Sequence, residues 1–175
     1  MKMLWMISMW PLVLQAQPAG EKATLKSILL EQLKTTHDQK EWFVPAKAAV
    51  DGLTAKQASW TDGSGNHSIG QLTAHLVFWN QRALSQFNGE APPKPGVVND
   101  ETFNNFDSAN WSATVRQLDE VMTGWEKAVA AASDEKITKA ASTIAHIGAH
   151  NAYHIGQIIY VRKLQGVWDA RNGVK

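Results

Sequence analysis

The sequence predicts an all-α four-helix bundle, and three observations carry that expectation. Four long stretches repeat apolar residues at three- and four-residue spacing, the period of one helix face. Alternation of β-branched residues is scarce, and Gly, Pro, Ser and Asn collect between the stretches. The chain has 175 residues, 44% of them hydrophobic, which suits one domain with a substantial core. A net charge of +1, with no Lys/Arg cluster along a helix face, gives no footprint for nucleic acid. The absence of cysteine excludes disulfides, thiolate ligands and a thiol nucleophile.

The first segment reads as an address. Met1-Lys2 precedes an apolar run from Met3 to Leu14, followed by Gln15-Ala16-Gln17-Pro18. A basic start, a short hydrophobic stretch and a small residue at its end predict a signal peptide over residues 1–16, cut after Ala16, and a periplasmic or secreted mature chain. The run falls short of the ~20 apolar residues that a membrane span requires. Residues 21–166 then form the bundle, and 167–175 a C-terminal tail.

From Glu21 to about Val50 the first helix is expected, with Leu25, Ile28, Leu29, Leu33, Phe43 and Val50 as an incomplete stripe and Pro45 dividing it near its end. Gly52 and Leu53-Thr54 close it, and residues 61–66 are a loop by composition. Ser68-Ile69-Gly70-Gln71 is a capping box that opens the second helix. Ile69, Leu72, Leu76, Trp79 and Ala83 face inward on it, and His75 shares their side. Residues 88–110 form a long connection holding Phe103 and Phe106, placed to cover a site. The third helix runs from Ser112 to Ala132 with Val115, Leu118, Val121, Met122, Trp125 and Val129 inward, punctuated by Ser133-Asp134. The last spans about Ala140 to Leu164 and stops at Gly166.

That last helix carries His146, His150 and His154 at four-residue intervals. Residues four apart lie above one another on one face, so two imidazoles can close on one ion, as in zinc-binding H-x-x-x-H helices. His146 and His154 lie about 12 Å apart along the axis and cannot share an ion. The pair is His146/His150 or His150/His154; the second is preferred because both members belong to the stripe Ile147, His150, His154, Ile158, Val161. His75 puts a third imidazole on the core face of another helix. A shared cation removes the cost of burying three such groups, about 1–3 kcal/mol for each left unsatisfied. His67, before the Ser68 cap, reads as a loop side chain, and His37, beside Asp38, as a solvated one. Gln71, Asn80, Asn151, Tyr153 and Gln157 are polar candidates near the ligands, and Asp38 or Glu31 could add a carboxylate.

Two stretches resemble the DinB/YfiT-like superfamily of metal-binding bundles. One is Gly52 to Trp60 followed by His67-Ser68-Ile69-Gly70-Gln71-Leu72-Thr73-Ala74-His75-Leu76; the other is His150-Asn151-Ala152-Tyr153-His154-Ile155-Gly156-Gln157-Ile158 with Arg162 to Gly166. With the helix order, the resemblance covers about Glu21 to Gly166. It implies an up-up-down-down bundle and a metal triad of His75, His150 and His154, with zinc or nickel foremost and iron or manganese as further candidates. It also implies a small-molecule substrate, homodimers, and activity as a hydrolase or a thiol/group transferase. An exported, noncatalytic metal- or small-ligand-binding bundle is the alternative. Three neutral ligands leave an open position, the arrangement of catalytic zinc sites. Ordinary imidazole titration would weaken metal binding below about pH 6.5.

Overall fold

The computed structural model describes residues 22–91 and 96–173. Among them every regular element is helical: α1 (Leu25–His37), α2 (Ala46–Val50), α3 (Ala55–Ala58), α4 (Ile69–Asn88), α5 (Trp111–Ala131) and α6 (Asp134–Leu164), with short 3₁₀ segments at Asn99–Asn105, Ser108–Asn110 and Ala170–Asn172. The four long helices bury one core, in which α1 and α4 each pack against both α5 and α6. The expected signal peptide lies outside the described residues. No helix among them is long and apolar enough to cross a membrane.

The first helix is shorter than its pattern suggested. It ends at His37, and the chain runs irregularly to Pro45, which precedes α2. Residues 38–43 offer no stripe to bury, and Trp42 is 95% exposed. Pro45 disfavours helical geometry at Val44 before it. The stripe itself is rotated: Leu25 and Ile28 are exposed, while Leu29, Leu33, Thr36 and His37 are buried. Spacings of four, three and one residues put those four on one face.

The caps explain the other boundaries. Ser68 Oγ accepts from the Gln71 amide and Gln71 Oε1 from the Ser68 amide, the reciprocal pair expected for α4. Helix α6 starts six residues earlier than expected, because Ser133 does more than end α5. Its side chain accepts from the Lys136 amide, and Asp134 and Glu135 complement the positive end of the helix dipole. The added turns bury Ile137. At the other end Gly166 adopts φ 71°, so its own amide reaches Lys163 O and the Val167 amide reaches Arg162 O. That is a left-handed helix stop, which glycine adopts without steric cost. The Arg162 guanidinium turns inward and donates from Nη1 to Ala49 O and Asp51 O, tying α6 to the end of α2.

The segment after α4 lies on the bundle through Phe106, whose ring occupies the place of a side chain at Gly70. A Cβ there would stand 2.2–2.4 Å from three atoms of that ring. A Gly70→Ala variant should therefore lose about 1–3 kcal/mol of stability, read as a lower urea midpoint. An unchanged midpoint would mean that the segment is not held against α4.

Candidate metal centre

Helices α4 and α6 bring His75, His150 and His154 together. One ring nitrogen from each lies within 4.8 Å of the others. His75 Nε2 and His150 Nε2 are 3.1 Å apart. The His154 ring centroid is 4.6 Å from that of His75 and 4.5 Å from that of His150. His75 is 2% exposed and His154 6%, whereas His150 is only partly buried.

The surroundings set the tautomers. Thr102 donates its hydroxyl proton to Asn99 O at 2.6 Å, so its oxygen accepts from His75 Nδ1–H, also at 2.6 Å. Gln157 Oε1 accepts from His154 Nδ1–H at 2.6 Å, and the same amide donates to Tyr153 Oη at 3.2 Å. Both rings are left with an unprotonated Nε2, and that of His75 faces His150 Nε2. His150 Nδ1 is buried without a partner among the described residues. Phe103 covers the remaining face of His75 in a parallel stack at 4.0 Å, and His67 stacks on the far side of Phe103 at 3.8 Å.

Burial, followed by repulsion from His154, His150 and His67, pushes His75 from 6.5 down to about 3. Burial and then His150 bring His154 down to about 4, against the upward pull of the Gln157 bond. Burial also lowers His150. The rings are thus neutral near pH 7, the form that binds metal.

This donor set fits a divalent ion. Two nitrogens bound at ~2.0–2.1 Å to a tetrahedral ion stand about 3.3–3.4 Å apart, close to the His75–His150 separation. Thr102 and Gln157 supply the outer hydrogen bonds that orient metal-binding histidines. A family model described as the DinB superfamily matches residues 46–158. The chain belongs to the DinB superfamily. No curated protein and no solved structure matches it. The stretch shared with the DinB superfamily contains His75, His150, His154 and both orienting residues.

The other candidates separate clearly. His146 is exposed and stands apart from the triad. Gln71 is used by the α4 cap. Asn80 and Asn151 form a buried reciprocal amide pair between the two histidine-bearing helices, at 2.7 and 3.3 Å. His67 is exposed as expected, yet it belongs to the ring stack. His37 contradicts its solvated reading. It is 5% exposed and bonded to Glu126 and Asp119, long-range partners that periodicity on α1 does not reveal. Thr102 was missed because its loop has no period from which to infer its direction.

Replacing Thr102 by Val removes the acceptor that orients His75. Metal affinity should fall ~10–100-fold in a chelator competition; affinity within twofold of the unsubstituted chain would show that Thr102 does not position the ligand. The depressed pKa values also set a pH dependence. Below 6.5 the unfolded chain takes up protons that folded His75 and His154 refuse until about 3 and about 4. Stability of the metal-free protein should therefore decline as pH falls through that window and be fully present above it. Urea midpoints at pH 5 and pH 7 measure the slope, and His154→Gln should flatten it. An equal slope in that variant would contradict the assignment.

Proposed function

We propose that this DinB-superfamily protein is a divalent-metal-dependent enzyme, a hydrolase or a thiol/group transferase, with His75, His150 and His154 as ligands and zinc or nickel as the ion. The observation that supports this most is the pair of unprotonated Nε2 atoms on His75 and His154, both buried and held beside the partly buried His150. An ion held by His75, His150 and His154 would supply Lewis acidity and would lower the pKa of a water or thiol brought to it.

The chain's own residues prepare the setting. Thr102 and Gln157 fix two rings before any ion arrives, which reduces the reorganisation needed on binding. Phe103 excludes water from one side of His75. His150 is the least buried of the three. It borders a cleft of about 370 Å³ lined also by Trp79, Asn99, Thr143, His146 and Ile147, where a small substrate can approach the site. No Asp, Glu, Lys or Arg side chain lines that cleft, which suits a neutral molecule. The up-up-down-down helix order and export of the mature chain complete the reading, the latter supported by the character of residues 1–16.

The test is turnover by metal-loaded protein across esters, amides and thiol conjugates, beside His150→Ala. Turnover that needs added metal and disappears in the variant is expected. Equal turnover in the variant would remove the triad from the reaction, and tight metal uptake with no turnover on any substrate would favour a noncatalytic binding protein.

A further inference from the structure

Helix α1 ends on a buried imidazole that neither the triad nor the apolar core explains. The ring of His37 lies between two carboxylates of α5: Nδ1 is 2.6 Å from Glu126 Oε1, and Nε2 is 3.1 Å from Asp119 Oδ1. Those carboxylates are seven residues apart, so they lie on one face of α5. Asp38 adds a third. Single ligand atoms of His37, Asp38 and Glu126 lie within 4.8 Å of one another. Lys47 Nζ lies 3.7 Å from Asp119. Three carboxylates facing one ammonium and one imidazole leave negative charge in excess, whether or not the imidazole is protonated.

We propose that His37, Asp38 and Glu126 form a second divalent-cation site, built from residues separate from the triad. His37 supplies Nδ1, and Asp38 and Glu126 supply one oxygen each. Asp119 is then a positioning residue: it accepts the Nε2 proton, which fixes the tautomer and raises the basicity of Nδ1, as carboxylates behind zinc-bound histidines do. Two carboxylates and a neutral imidazole cancel the charge of a divalent ion, which lowers the penalty of holding it at a partly buried position. One nitrogen with two oxygens suits zinc or manganese. Asp38 is exposed, which gives solvent a route to the site, and a separate cleft of about 380 Å³ opens on the Asp119 side of the ring. His37 lies outside the stretch matched by the family, so this site rests on the present chain's own geometry.

Zinc stoichiometry of the full chain tests the proposal, measured by elemental analysis after equilibrium dialysis. The variants are Glu126→Gln, Asp38→Asn and His150→Ala, each checked for an unchanged far-ultraviolet circular dichroism spectrum. Glu126→Gln keeps side-chain size, and Asp38 is exposed, so both changes leave the core intact. The unsubstituted chain should hold two equivalents, with one lost in Glu126→Gln and in Asp38→Asn, and the other lost in His150→Ala. Full zinc content in both carboxylate variants would overturn the second site and leave a metal-free clasp in which His37 donates to both carboxylates. Loss in those variants with none in His150→Ala would uphold it while removing the triad.

Discussion

The structure depends on keeping three uncharged imidazoles in an apolar interior at the junction of α4 and α6. An ionised ring there would lose its hydration with little in return, so burial selects the neutral form of each. Neutral rings facing one another at van der Waals range carry lone pairs that compete for the same small space. The protein resolves this from outside, by engaging the far nitrogens of His75 and His154, which leaves their near nitrogens unprotonated, that of His75 3.1 Å from His150 Nε2. The result is a cluster whose geometry is set before it meets a ligand.

The rest of the fold supports that cluster. The Asn80–Asn151 amide pair fixes the register of α4 against α6, next to His150 in sequence. Being buried and mutually satisfied, it penalises sliding of either helix, since each displaced amide would be left without a partner. The segment after α4 is bound to the same centre: Phe106 seats against Gly70, Phe103 stacks on His75, and Thr102 holds its far nitrogen. A long connection thereby becomes part of the wall of the cluster, and its order is coupled to that of His75.

Much of this was legible in the residues. The α5 stripe, the Ser68 cap, the stop at Gly166 and the core-facing positions of His75, His150 and His154 follow from period and capping chemistry, which are local; that the three belong together is what the family resemblance implies. What escaped depends on rotation and on distant partners. The first helix has a weak stripe: Leu29 and Leu33 are buried as its pattern suggests, but Leu25 and Ile28, assigned to the same stripe, are exposed, and Thr36 is buried in addition. His37 looked solvated beside Asp38 because its true partners, Glu126 and Asp119, lie more than eighty residues away. Burial also shifts the histidine titrations below their ordinary value, so protons compete for His75 and His154 in the folded protein only at about 3 and about 4, well below 6.5.

The most direct measurement is anomalous X-ray diffraction from crystals of the zinc-loaded protein, collected on both sides of the zinc edge. The account predicts a strong peak at about 2.0–2.1 Å from the Nε2 atoms of His75, His150 and His154. Crystals that show zinc elsewhere on the molecule, with no density among those three nitrogens, would contradict it.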